Sequence, residues 1–341
     1  MEGGFSFAGK QYEKTSFETV FACDINPFAK KVYDNYAEKT GRRCRLTLAS
    51  IVDIVTKTPE SLPKADVLTG GFPCQDFSLA GKRQGFSSSK NHLGEHGSGE
   101  KRGTLYSWMC QAVGIVNPKL IIAENVKGLL TMPGALTTIR GDFSAMGYTV
   151  KSMLLNAASY GVPQKRERVI IVGLRNDILK ASALESLESW PPSGVSLVPS
   201  TVPEVHCIDV LADSFEPSSE NEDRDSYSKC AWLPQGQGQT EIDLYGFAPT
   251  IRSEHHGNIE YRALARERGG RNPGPERRLS IRECARLQSF PDTYEFVPVI
   301  KSMSEAYKLI GNAVPPVLGW HLAKNFEKNW DLLFDKDALG G

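Results

Sequence analysis

The chain has 341 residues, 40% hydrophobic and 23% charged, a globular profile with room for two domains or for one large domain with an insertion. Lys and Arg total 40 and Asp and Glu total 40, so bulk charge predicts no nucleic-acid binder, and any such surface must come from local clustering. No apolar run approaches the roughly 20 residues of a membrane helix, Met1-Glu2-Gly3-Gly4 does not open a signal peptide, and the 7 cysteines, none in a Cys-x-x-Cys pair, argue against a zinc site or a disulfide framework.

Residues 17–23 (FETVFAC) read as a strand, and 27–36 (PFAKKVYDNY) as a helix with Phe28, Val32 and Tyr36 on one face. Residues 65–69 (ADVLT) are a short strand stopped by Gly70-Gly71. A helix over 104–116 ends at Asn117-Pro118, and 120–123 (LIIA), 151–155 and 168–174 (RVIIVGL) are further strands. Strands alternating with helices predict an α/β fold with a parallel sheet covered on both faces, and ligands in the crevice beyond the strands' carboxyl ends. The pattern breaks after Arg175. Residues 176–302 read as a smaller, irregular domain, rich in Pro, Ser, Gly and charge up to position 278, inserted into a larger one formed by 1–175 and 303–341. Within it, 280–287 is a helix with the capping box Ser280-x-x-Glu283. The last helix starts at Pro315-Pro316 and extends to Trp330.

Three positions at the strand ends could carry chemistry. Cys74 sits in the loop Gly70-Gly71-Phe72-Pro73-Cys74-Gln75, directly after a strand, where most free cysteines would instead lie within the core. Glu124 follows the buried strand LIIA, and a carboxylate there is costly unless it is paired or used. Arg166 and Arg168 alternate with period two and therefore point the same way. A thiol, a carboxylate and two guanidiniums in one crevice suit covalent catalysis on an electron-poor ring. The thiolate adds, the acid serves a ring nitrogen, and arginine holds a ring oxygen or a phosphate. A nearby arginine also lowers a thiol's pKa.

At these residues the sequence resembles the DNA cytosine-5 methyltransferases of bacterial restriction-modification systems. Gly71-Phe72-Pro73-Cys74-Gln75 is similar to the catalytic Pro-Cys-Gln motif, and Phe77 to Arg83 continue it. Glu124-Asn125-Val126 and Gln164-Lys165-Arg166-Glu167-Arg168 resemble the next two motifs in order. Residues 278–291 (RLSIRECARLQSFP) resemble the helix motif after the recognition region, and Gly311-Asn312-Ala313-Val314-Pro315-Pro316 the C-terminal one. Five motifs in order make the resemblance specific.

The resemblance implies an S-adenosylmethionine-dependent, Rossmann-like sheet with a target recognition domain at 176–302. It implies methyl transfer to carbon 5 of a flipped-out cytosine in a specific double-stranded DNA sequence. Cys74 would add to carbon 6, Glu124 would meet ring nitrogen 3 and the amino group, Arg168 the ring carbonyl, and Arg166 would support the cysteine loop. On the cofactor side it implies Gly3, Gly4, Phe5, Asp24 (on the ribose hydroxyls), Ile25 (against adenine), Phe72, Pro73 and Asn312. On the DNA side it implies Gln75, Ser78, Lys82 and Arg83, with Arg252, His255, His256, Arg262 and Arg278 from the basic stretch of the recognition region, which also holds Arg266, Arg268, Arg271 and Arg277. No metal is implied. A bacterial cytoplasmic monomer, with a restriction endonuclease acting on the same site, fits this class.

Two features depart from the family pattern. The chain holds only the last part of the usual first strand and glycine loop, as Gly3-Gly4-Phe5. Either the start lies upstream or the gene is truncated (the favoured expectations), or another chain supplies the strand, or the product is defective. Ala49-Ser50-Ile51 stands where Gly-Asp-Ile is usual, and Asp53 is a poor substitute for the aspartate that meets the adenine amino group. The competing readings are a catalytically silent DNA-binding member of the family and a methyltransferase for cytosine in transfer RNA.

Overall fold

The computed structural model describes residues 1–72, 105–183, 197–213, 240–253, 260–297 and 299–335. It opens with an antiparallel hairpin, β1 (Phe5–Phe7) and β2 (Lys10–Tyr12). Phe5 stacks on Tyr12 with ring centroids 5.1 Å apart, and Trp320 meets the other side of Tyr12 edge-on at 5.1 Å. β3 (Ala22–Asp24) leads into α1 (Pro27–Lys39), which carries proline in its first turn and is capped by Asn26, whose side chain accepts from the Phe28 amide at 2.8 Å. β4 (Leu46–Leu48) returns parallel to β3, and α2 (Ile51–Lys57) connects onward to β5 (Val67–Gly71).

The strand expected over 17–23 shrinks to the three residues of β3 because the stretch before it is held elsewhere. The Ser16 amide bonds to the Glu327 carboxylate, Phe17 packs on Trp330 at 5.6 Å, and the Thr19 amide donates to Glu2 Oε1 at 2.8 Å. These contacts tie the segment to the last helix and to the N-terminal residues in place of a neighbouring strand.

The principal sheet is formed by β5, β6 (Leu120–Val126), β7 (Tyr148–Asn156) and β8 (Glu167–Arg175), in the order β5-β6-β8-β7. Here the all-parallel expectation is corrected. β5 runs parallel to β6, but β8 is antiparallel to both β6 and β7. The cause is the connection over 157–166, which holds one 3-10 turn at Ala157–Tyr160 and no crossover helix. A parallel return needs a crossover of a dozen or more residues, whereas a short link returns the chain antiparallel.

Alternation along β6 and β8 builds two apolar layers. Ile121, Ala123, Val169 and Ile171 face a cluster with α3 (Leu105–Val116) and α4 (Ala135–Ala145). Leu120, Ile122, Ile170, Val172 and Leu174 face the other way, into a larger cluster. This is the two-sided burial that makes such strands read as unbroken apolar runs. The larger cluster is filled by α6 (Ile281–Leu287), α7 (Met303–Asn312) and α8 (Pro316–Leu333). Besides α6, the inserted region holds a short helix, α5 (Cys207–Leu211), and a sheet of β9 (Thr240–Glu241), β10 (Glu260–Ala263) and β11 (Arg277–Arg278), with β10 in the middle. Apolar side chains of this region, among them Leu211, Ile242 and Ile251, join the same larger cluster.

α6 begins with the expected capping box. Ser280 Oγ accepts from the Glu283 amide at 3.1 Å, and Glu283 Oε2 accepts from the Ser280 amide at 2.8 Å. The Glu283 side chain is 2% exposed and also meets Arg277 at 2.8 Å and Arg262 at 3.4 Å. One carboxylate thus fastens the three-stranded sheet to the helix. Removing one partner of such a group leaves buried charge without compensation. Glu283→Ala is expected to lower unfolding stability by about 3–5 kcal/mol in urea titrations.

Candidate active site

Glu124 extends the face of β6 that begins with Leu120 and Ile122, and Arg168 extends the face of β8 that carries Ile170. In the register, Glu124 lies opposite Ile170 and Arg168 opposite Val126. The two polar side chains are therefore diagonal neighbours on one face, and they form an ion pair with Arg168 Nε 2.8 Å from Glu124 Oε1. Gly71, opposite Glu124 on β5, keeps that side chain's surroundings open, since an added Cβ there would lie 3.4 Å from Glu124 Oε2. Burial raises the Glu124 carboxyl above its ordinary value, and attraction to Arg168 and then Arg166 recovers only part of the shift. Burial also works against the Arg168 guanidinium, which Glu124 partly restores.

Arg166, 1% exposed, donates from Nη1 to the Ile251 carbonyl at 2.9 Å and from Nη2 to those of Gly311 and Ala313 at 2.7 and 3.0 Å. Its described bonds thus hold the inserted region and the C-terminal motif. The support it was expected to give the Cys74 loop falls on residues outside the description. Gln164 belongs to the same clamp. It accepts the Ile251 amide at 3.0 Å and donates to Gln288 Oε1 at 2.6 Å, and Gln288 donates to the carbonyls of Ile310 and Ala313 at 3.0 and 2.8 Å. Gly311 is required at this junction, because a Cβ there would lie 2.3 Å from the Arg252 backbone.

Sequence reasoning quoted Asn125, Gln164 and Gln288 inside motifs without assigning them tasks. Asn125, buried beside Glu124, donates from Nδ2 to the Phe72 carbonyl at 3.0 Å and so fixes the last described residue before Pro73-Cys74. The available signal was an amide side chain two residues past the apolar run LIIA, where burial demands a partner.

Pro73, Cys74, Gln75, Ser78, Lys82, Arg83, His255 and His256 lie outside the described residues. The described thiols of Cys23, Cys110, Cys207 and Cys284 are all pushed up, by burial first. Such thiols are poor nucleophiles at neutral pH.

On the expected DNA side, Arg252 is exposed and Arg278 lies over the Tyr307 ring at 5.0 Å. Arg262 and Arg277 both direct their guanidiniums to Glu283.

The carboxyl ends of β3 and β4 present Asp24, Ile25 and Leu48, all exposed. Asp24 Oδ1 accepts from the Asn26 amide at 2.8 Å, closing the turn that leads into α1. Ser50 caps α2 by accepting from the Val52 amide at 3.2 Å, and Asp53 pairs with Lys57 at 2.7 Å, so both are engaged within that helix. Asn312 is exposed at the end of α7. Gly3 and Gly4 both have positive φ, but a Cβ at Gly3 would lie 2.0 Å from the Glu13 carbonyl, and Phe5 is buried on Tyr12. The hairpin thus takes up the glycine segment expected to cradle the cofactor.

A family profile for C-5 cytosine-specific DNA methylases matches residues 3–328. The chain belongs to that family. The type II methyltransferase M.FnuDI of Fusobacterium nucleatum is 30% identical, over 96% of this chain and 92% of that protein. M.NgoFVII of Neisseria gonorrhoeae is 32% identical, over 92% and 82% respectively. The fold is shared with the Dnmt2 methyltransferase of S. pombe, at a TM-score of 0.55 and 18% identity across 91% of each chain. Membership implies S-adenosylmethionine as methyl donor. The adenosyl half suits the donor set at β3 and β4: an exposed carboxylate accepts hydroxyl protons, and two exposed aliphatic side chains can bracket a purine.

The raised Glu124 carboxyl sets a pH dependence. A group that holds its proton more tightly when folded contributes most below its ordinary value, and that contribution is lost as pH rises through the raised one. The stability difference between wild type and Glu124→Gln, taken from urea titrations at stepped pH, is expected to fall as pH rises across this window. A flat difference would contradict the burial described.

Proposed function

We propose that this chain methylates carbon 5 of a flipped-out cytosine in a specific double-stranded DNA sequence, through a covalent bond to Cys74. The observation that carries the reading is the Glu124–Arg168 pair at the carboxyl end of β6, beside the strand that leads into Pro73-Cys74. Carbon 5 of cytosine is a weak nucleophile until a thiolate adds at carbon 6. Cys74 forms that bond, and electron density moves to carbon 5. Glu124, its proton favoured by burial, donates to ring nitrogen 3 and accepts from the amino group. Arg168 holds the ring carbonyl while keeping Glu124 oriented. S-adenosylmethionine, when bound, supplies the electrophilic methyl group, and Asp24, Ile25, Phe72, Pro73 and Asn312 are the residues proposed to hold it. Loss of the carbon-5 proton then returns electrons to the ring, the bond from carbon 6 to Cys74 breaks, and the thiolate is regenerated.

The division into a catalytic part (1–175 with 303–341) and a recognition part (176–302) belongs to this proposal, with duplex DNA gripped between them. So do action as a monomer in a bacterial cytoplasm and a partner endonuclease of the same specificity. The relatives' designation as type II methyltransferases supports this setting.

One observation favours a second reading, a DNA binder without transfer: Gly3 is packed against the Glu13 carbonyl and Trp320 of α8. Incubation with tritiated S-adenosylmethionine and unmethylated genomic DNA separates the two. Label recovered as 5-methylcytosine, and absent with Cys74→Ala, is the expected result. No label, together with no S-adenosylmethionine retained in equilibrium dialysis by a chain that still binds DNA, would establish the second reading.

A further inference from the structure

The loop between β10 and β11 is exposed at 266–269, 271 and 273–276, yet it is tied down like a core turn. Its anchor is Glu241 at the end of β9, whose side chain is only 4% exposed. This one carboxylate accepts three backbone amides, from Leu264 at 2.9 Å, Arg271 at 2.7 Å and Asn272 at 3.1 Å. Asn272 adds side-chain bonds to the carbonyls of Ile242 and Arg262, both at 2.8 Å. Across the loop, the Ala265 amide donates to Glu276 at 3.0 Å, and Arg268 pairs with the same Glu276. Gly269 takes a φ of +80°, and Gly270 comes so close that a Cβ would lie 2.0 Å from the Leu264 carbonyl.

Fixing an exposed backbone costs conformational entropy, and here little apolar burial offsets it. Such bracing gains its return when a partner of fixed shape meets the loop. The charges indicate which partner. Arg268 is neutralised by Glu276, whereas Arg271, whose own amide Glu241 holds, meets that carboxylate only through a long ion pair, Nε to Oε2 at 3.8 Å, and leaves its side chain 74% exposed. An open guanidinium on a rigid base suits an oxygen-rich, negatively charged surface.

We propose that Glu241 is a positioning residue for DNA: it fixes the backbone of Arg271 so that this guanidinium meets the duplex as a preset contact. The inference rests on the DNA methyltransferase reading above and adds to it a residue that never touches DNA itself.

The test uses the full chain and a fluorescein-labelled 30-base-pair duplex of mixed sequence, titrated by anisotropy over a range of salt concentrations. Arg271→Ala, a change at an exposed tip, is expected to weaken binding several-fold and to reduce the slope of log affinity against log salt by about 1. Glu241→Gln keeps the shape but removes the charge that gathers three amides. It is expected to weaken binding while circular dichroism stays native, and to speed amide exchange at Leu264, Arg271 and Asn272. Wild-type affinity and salt slope in Arg271→Ala would overturn the contact. Loss in Arg271→Ala with wild-type binding in a natively folded Glu241→Gln would overturn the positioning role. A wild-type chain that binds no duplex at all would overturn the DNA reading and this inference together. If Arg271→Lys restores affinity and the methylated sequence is unchanged, the contact is to phosphate. If affinity returns but methylation spreads to other sequences in bisulfite sequencing, it is to a base edge.

Discussion

Arg166 draws together three stretches of chain that are far apart in sequence. Its guanidinium, almost wholly buried, bonds the carbonyls of Ile251, Gly311 and Ala313, while its own strand carries Arg168 on to Glu124. Desolvating a guanidinium is unfavourable unless its donors are satisfied, so the three carbonyls are a condition for the charge being there at all. They also find in it the partner that buried carbonyls require. Gln164 and Gln288 extend the arrangement with neutral hydrogen bonds. Removing any member therefore strands several others, and the inserted region, the C-terminal motif and the end of β6 beside Glu124 keep their relation only as a set.

The same face of the sheet changes character along its length. Ile122 and Ile170 are core. Two residues further along β6, and two residues back along β8, Glu124 and Arg168 occupy the equivalent places. The Glu124–Arg168 pair sits where the apolar layer stops, so the low dielectric that raises the Glu124 carboxyl comes from the packing that builds the fold. Asn125, on the opposite side of β6 from Glu124, extends the influence of that strand to the backbone before Pro73-Cys74.

What could be read in the sequence was whatever depends on neighbours within a few positions. The apolar runs of β6 and β8, the Ser280–Glu283 box and the proline at the start of α8 are local signals, and each element forms where expected. The polarity of β8 was not legible, because it depends on how the link 157–166 folds and not on the strand's composition. The segment at 17–23 has a strand's composition but is claimed by Glu2, Glu327 and Trp330, the last two some 300 positions away. Arg262 and Arg277 read as part of a basic surface until Glu283 is found among them. At the site, Glu124 and the two arginines were legible from their place at strand ends. The tasks of Asn125, Gln164 and Gln288 were not, since each is defined by a main-chain group brought up by another part of the fold.

The described bonds of the Arg166 guanidinium all go to main chain, at Ile251, Gly311 and Ala313. The clamp's bonds to the inserted region, from Arg166 to the Ile251 carbonyl and from the Ile251 amide to Gln164, are the same whatever side chain stands at 251, and Gly311 answers the backbone at 252–253. These bonds read the path of the segment, while the Ile251 side chain answers separately to the larger apolar cluster in which it is buried. Exposed stretches of the insert can therefore change without altering the bonds that meet Arg166. What any altered insert has to reproduce for this clamp is a short run of backbone geometry around Ile251.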